Sequence, residues 1–128
     1  MGKLSTHILD LAHGKPAGGM QIELYLIEAN TGSPADGSTA QVRRLLKRET
    51  SNADGRTASP LLEGEAFLAG CYELVFSAGD YFAAIGTALP EPRFVDRVTL
   101  AFGVADASQN YHVPLLVSPW AYSTYRGS

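Results

Sequence analysis

The feature that most constrains the fold of this chain is the distribution of its thirteen glycines and seven prolines, which leave only short apolar stretches between them. Short stretches broken by turn-forming residues are typical of a small β-sandwich or barrel. Residues 20–27 display the pattern best, because every second side chain is apolar: Met20, Ile22, Leu24 and Leu26. An apolar residue at every second position predicts a strand with one buried face.

The same alternation predicts further strands at residues 4–10, 42–50, 70–77, 97–102, 111–117 and 121–126. A short strand near residues 57–59 is signalled more weakly, and residues 29–40 lack any apolar period and predict a loop. One short helix is expected, because Ser77 can cap it, Asp80 lies in its first turn and Gly86 can end it. Its apolar side would consist of Tyr81, Phe82 and Ile85.

Length and composition limit the classes of protein that this chain can represent. Its 128 residues are enough for one domain, spanning 1–128, and its net charge of −3 argues against a general nucleic-acid binder. No stretch resembles a secretory signal or a membrane span, so the expectation is a soluble cytoplasmic protein without a membrane partner. The single cysteine excludes an intrachain disulfide, and the three histidines lack the spacing of a metal site.

The segment 111–117 carries an unusual histidine. Alternation assigns Tyr111, Val113, Leu115 and Val117 to a buried face, which leaves His112, Pro114 and Leu116 on the other. A strand that is apolar on both faces lies between layers or is covered by another chain. Because proline cannot donate to a neighbouring strand, the pattern favours cover by a partner subunit. By itself, His112 is equally well explained as an interface histidine whose hydrogen bonds are satisfied.

Three other features do not look like core. His7 points outward from the strand at 4–10, where an ordinary surface histidine is the simpler interpretation. Arg56 follows the turn formers Asn52, Asp54 and Gly55 and should open a strand, although a solvated arginine also fits. The chain ends in an aromatic segment, S-P-W-A-Y-S-T-Y-R-G-S, which indicates a docked end or, more simply, an aromatic edge strand.

Together, several of these segments resemble one family. Five segments are similar to the 5-hydroxyisourate hydrolases, transthyretin-related enzymes of urate breakdown. They are L-S-T-H-I-L-D near the start, G-K-P-A-G-G-M, the turn N-A-D-G-R, the G-D-Y-F helix start and H-V-P-L-L-V-S-P-W-A-Y-S-T-Y-R-G-S at the end. The resemblance covers residues 4–128. It implies an all-β, transthyretin-like sandwich of two four-stranded sheets with one short helix. It also implies a homotetramer with active sites where two dimers meet.

The resemblance implies an active site as well. Its catalytic residues would be His7, Arg56, His112 and Ser128, and its substrate-binding residues Tyr125, Arg126 and Gly127. The implied reaction is hydrolysis of a cyclic amide in 5-hydroxyisourate, giving 2-oxo-4-hydroxy-4-carboxy-5-ureidoimidazoline without a metal or organic cofactor. Either His112 or His7 could act as base, while arginine suits an oxyanion. Strict alternation would put Arg126 on the face opposite Tyr125.

An alternative interpretation gives the chain the same sandwich fold without catalytic activity. A transthyretin-like protein could bind a small aromatic ligand in the channel without catalysis. That alternative predicts a channel lined by apolar and aliphatic side chains. Convergence of His7, Arg56 and His112 in one place would argue against it.

Overall fold

The computed structural model describes residues 2–29 and 41–128. Within them lie one helix, α1 (Ala78–Ala84), a single 3-10 turn at Gly64–Ala66, and eleven strands. The strands are β1 (Lys3–Ser5), β2 (Ile8–Asp10), β3 (Lys15–Pro16), β4 (Gln21–Ala29), β5 (Gln41–Thr50), β6 (Leu62–Glu63), β7 (Gly70–Ser77), β8 (Arg97–Val104), β9 (Tyr111–His112), β10 (Leu115–Val117) and β11 (Tyr122–Ser123). The loop predicted at residues 29–40 lies outside the described residues, except for Ala29 at the end of β4.

The first layer of the sandwich is an antiparallel four-stranded sheet with the order β5-β4-β7-β8. Its register aligns Leu24 with Leu74 and Leu74 with Leu100, so apolar side chains from neighbouring strands meet on one face. Leu24 and Leu74 are fully buried, as the alternation predicts. This face forms one half of the hydrophobic core.

The second layer consists of two short sheets with the orders β6-β1-β9 and β11-β10-β2-β3. The strands predicted at 4–10 and 111–117 are each broken in two, so this layer is not the single four-stranded sheet that was expected. At the break, the buried hydroxyl of Thr6 donates to the carbonyl oxygen of Val113, at 2.7 Å. Pro114, the next residue, has no N–H to donate to a neighbouring strand.

The two layers pack face to face around one core. Leu4, Ile8, Leu115 and Val117 from the second layer are buried against the apolar face of the first. The all-β sandwich with one α-helix is therefore confirmed in the described residues. No helix in the described part of the chain is long and apolar enough to cross a membrane.

The helix α1 begins after Ser77, as predicted, but the Ser77 hydroxyl makes no capping hydrogen bond. Tyr81 and Phe82 are buried, whereas Ile85 is 41% exposed, so its assignment to the apolar side is wrong. The helix ends at Ala84 and the chain then turns, which carries Ile85 away from the core. The N–H of Gly86 donates to the carbonyl oxygen of Ala83.

A buried carboxylate ties the helix to the second layer. Asp10, at the end of β2, is fully buried and accepts hydrogen bonds from the Tyr81 hydroxyl and from His13 Nδ1, each at 2.8 Å. Burial alone would raise the pKa of Asp10, but the hydrogen bonds from Tyr81 and His13 outweigh it and lower that pKa. The carboxylate therefore stays charged, and its lost hydration is replaced by these donors.

The turn at residues 52–56 is confirmed, but the strand expected to follow it at 57–59 is absent. Asn52 Oδ1 accepts hydrogen bonds from the N–H groups of Asp54 and Arg56, at 3.0 and 3.1 Å. Gly55 has a φ of +75°, and its carbonyl oxygen accepts a hydrogen bond from Ile8 N–H at 2.8 Å. The turn is therefore docked on the first residue of β2.

Gly55 is expected to be intolerant of a side chain. Its φ strains an alanine, and a Cβ there would overlap the carbonyl oxygen of Ile8. Gly55→Ala should lower the free energy of unfolding by about 3 kcal/mol or more, because clash adds to strain of about 1–3 kcal/mol. Gly14→Ala is the matched control, since Gly14 has a φ of +66° with no atom within 4 Å of its Cβ position. Equal losses for the two variants in urea denaturation would contradict this account.

Candidate active site

The register of the second layer gathers three polar side chains on one face. β1 runs parallel to β9 and aligns Ser5 with His112. The ladder continues past the strand ends, where the carbonyl oxygen of His7 accepts the N–H of Leu115 at 2.9 Å. Because side chains alternate between faces, Ser5 and His7 share the face that carries His112, opposite the buried Leu4. Both histidines are half-buried.

His112 is held on two sides. Its Nδ1 lies 2.9 Å from the Ser5 hydroxyl oxygen. Its backbone forms an antiparallel bridge with Gly127, in which Gly127 N–H donates at 2.7 Å and His112 N–H donates at 3.2 Å. A Cβ on Gly127 would lie 3.0 Å from the Cβ and 3.1 Å from the Cδ2 of His112. Glycine therefore lets the chain end pass close beside the imidazole ring.

Arg56 completes the cluster. The docked turn at 52–56 presents its exposed side chain beside a groove of about 180 Å³ that Ser5, Thr6 and Pro60 also line. Burial lowers the pKa of His112, and the electrostatic effects of Arg56 and His7 lower it further. The structure thus brings both His7 and Arg56 within electrostatic reach of His112. A neutral imidazole beside a fixed cation can accept a proton while the cation holds an anion.

The chain end is docked, as one interpretation of the sequence predicts, but its residues contact two different parts of the domain. Gly127 lies against His112, whereas the Arg126 guanidinium lies 4.3 Å from the ring centre of Tyr111 and donates to Gln109 and Asn110. The structure describes a strand only at Tyr122–Ser123 in the predicted 121–126. Ser128 is exposed at the chain end.

Tyr125 and Arg126 border a different groove of about 370 Å³ along β8. The strict alternation expected for this pair does not hold, because residues 124–126 lie outside any strand. Tyr125 is 60% exposed. Within one chain, neither side chain joins the groove beside Arg56.

The structure differs from the sequence-based expectation at two residues, Pro114 and Ser5. Pro114 was assigned to a face covered by a partner, yet it is buried within this chain, and its carbonyl oxygen accepts the Thr124 hydroxyl at 2.7 Å. Ser5 was not recognised as a site residue. The alternation at 4–10 contained the signal, since it puts Ser5 and His7 on one face. No cluster of three or more potential metal ligands occurs in residues 2–29 and 41–128.

A β-sandwich with one short helix and a histidine-bearing face defines a transthyretin-like domain. The match to a family model agrees with this class and covers residues 4–127. The chain belongs to the HIUase/Transthyretin family.

Curated relatives match the whole chain. It is 52% identical over 128 residues to the 5-hydroxyisourate hydrolase of Pseudomonas aeruginosa, covering 100% of this chain and 93% of the relative. It is 54% identical to the 5-hydroxyisourate hydrolase of Ralstonia nicotianae, with 100% of each chain covered. At these identities the backbone and the site elements are expected to correspond closely.

Solved structures agree on the fold. The 5-hydroxyisourate hydrolase of Klebsiella pneumoniae superposes with a TM-score of 0.73 at 30% identity, covering 100% of both chains. Sea bream transthyretin in complex with thyroxine gives a TM-score of 0.73 at 25% identity, covering 98% of this chain and 94% of that one. An (S)-allantoin synthase gives 0.86 at 40% identity, and this chain spans 44% of its length.

The charge arrangement predicts how His112 titrates. We expect its pKa to lie below 6.5, the ordinary value for histidine, so the ring is mostly neutral at pH 7. Arg56→Gln should raise this pKa by removing a positive neighbour, without restoring the ordinary value, because burial remains the largest cause. Arg44→Gln, which breaks an exposed pair with Glu28, is the control and should have no effect. A pKa at or above 6.5 in an NMR titration of the wild-type ring would contradict this arrangement.

Proposed function

We propose that this protein hydrolyses 5-hydroxyisourate by water attack on its cyclic amide. The observation that carries the proposal is the half-buried His112, which shares one face with His7 and lies within electrostatic reach of Arg56. The 5-hydroxyisourate hydrolases that match over the full chain at 52% and 54% identity support the same reaction. A ligand carrier without chemistry has no need for a histidine and an arginine within electrostatic reach of a second, half-buried histidine.

His112 acts as the general base in this proposal. Its unprotonated ring nitrogen accepts a proton from water as the water oxygen bonds to the amide carbon. The carbonyl oxygen becomes an oxyanion, which the Arg56 guanidinium stabilises by charge-assisted hydrogen bonds. When the ring C–N bond breaks, the leaving nitrogen takes a proton from the His112 imidazolium, so the base is regenerated. His7, on the same face, orients the water or the substrate.

The proposed active assembly is a homotetramer in which a neighbouring subunit completes the site. In one chain, Tyr125 and Arg126 border the groove along β8, away from Arg56. Tyr125 is 60% exposed, Tyr122 50% and Trp120 61%, which is a large aromatic surface for a chain of this size. Cover by another subunit would bury these rings and bring a second chain end to the site. Ser128 of that end would then contact the substrate as a catalytic hydroxyl.

We assign the protein to the cytoplasm. Cys71 is an exposed free thiol on β7. Such a thiol is compatible with a reducing compartment.

The proposal is tested by following freshly generated 5-hydroxyisourate, made from urate and urate oxidase, in the ultraviolet. Wild-type protein should accelerate its decay. His112→Asn and His7→Asn should each lower the turnover number by about 10²–10⁴-fold, the usual contribution of an acid–base group. The matched control is His13→Asn, which alters the histidine paired with Asp10 outside this site. Wild-type rates in both site variants would overturn the assignment.

Removing residues 125–128 should abolish activity. The truncation deletes the Gly127 bridge that holds His112 and the aromatic end expected at the subunit interface. Sedimentation distinguishes the two causes: an inactive tetramer implicates the site, and an inactive smaller species implicates assembly. A truncated protein with full activity would contradict a role for the chain end.

A further inference from the structure

We propose that Ser5 is a positioning residue for His112: its hydroxyl oxygen accepts the Nδ1 proton and so keeps Nε2 free to take a proton from water. The inference rests on the proposed hydrolysis, because it gives the base of that reaction a defined tautomer. Ser5 is an additional site residue, beside the motif at the chain end, Arg56 and the two histidines.

The geometry fixes both partners of this hydrogen bond. Ser5 Oγ lies 2.9 Å from His112 Nδ1, and both residues are half-buried. The parallel register aligns Ser5 with His112, and the carbonyl oxygen of Ser5 accepts Val113 N–H at 2.9 Å. On the other side, the bridge to Gly127 holds the backbone of His112. The ring therefore has little freedom to rotate away from the serine.

A neutral imidazole carries its proton on only one nitrogen, and the partner of Nδ1 selects which one. If Ser5 donated to Nδ1, the ring proton would sit on Nε2, and the ring could not accept a proton there. If Ser5 accepts from Nδ1–H, the lone pair of Nε2 is available. The accepting arrangement also survives catalysis, because the imidazolium carries a proton on both nitrogens and can only donate.

A hydroxyl suits this position better than a carboxylate would. A carboxylate on Nδ1 would favour the imidazolium and oppose the effect of burial, Arg56 and His7 on the ring. A neutral acceptor fixes the tautomer and leaves the base weakly protonated near neutral pH. In the described residues, Nδ1 is the one side-chain partner of Ser5 Oγ, so the hydroxyl proton can point into the groove that Ser5 shares with Arg56.

The test compares Ser5→Thr with Ser5→Val, two side chains of nearly equal shape of which only threonine retains a hydroxyl. Ser5→Thr should keep the turnover number close to that of the wild type. Ser5→Val should lower it by about 10–100-fold, with little change in KM, because the ring loses its preferred tautomer rather than its substrate contacts. Urea denaturation of the two variants verifies that both remain folded.

Nitrogen-15 NMR of the His112 ring supplies a readout that does not depend on activity. Neutral wild-type and Ser5→Thr proteins should carry the ring proton on Nδ1, and Ser5→Val should shift the population toward Nε2–H. A proton on Nε2 in the wild type, or equal turnover numbers for the folded Thr and Val variants, would overturn the role of Ser5. An inactive wild type with the Nδ1–H tautomer would instead refute the proposed hydrolysis and leave the positioning of the ring intact.

Discussion

The parallel pairing of the first strands with β9 and β10 is the constraint on which the rest of this structure depends. It brings residues near the start of the chain beside residues near its end, with Ser5 aligned to His112. Parallel neighbours require a long connection, and here that connection builds the whole opposite layer of the sandwich. The core that buries Leu4 and Leu115 thereby also fixes the relative position of the two histidines.

Glycine allows two other segments to approach this strand pair. Gly55 lets the turn carrying Arg56 dock on Ile8, and Gly127 lets the chain end run beside the imidazole of His112. Both contacts are made by backbone atoms, so they set the distance between segments with little dependence on side-chain rotamers. A half-buried imidazole within electrostatic reach of an arginine is the result, and this environment favours the neutral ring.

Much of the fold could be predicted from the alternation of apolar and polar residues alone, because a strand buried on one face has an apolar residue at every second position. The strand at 70–77 and the helix after Ser77 lie where the pattern predicts them. The breaks near Thr6 and Pro114 could not be located, since alternation continues through them while the hydrogen bonding changes. Alternation also cannot tell which strands are neighbours. The meeting of His7, Arg56 and His112 could therefore be expected only from the family resemblance, and Ser5 only from its shared face with His7.

The central claim is that Arg56 and His112 act on one substrate as a unit. A double-mutant cycle on kcat/KM for 5-hydroxyisourate, with Arg56→Gln, His112→Asn and the double variant, measures this most directly. Residues that act together give strongly non-additive losses, so the double variant should be little worse than the more damaging single one. Losses that multiply, with the double variant slower by the product of the two single effects, would mean that the two groups work independently and would contradict the account.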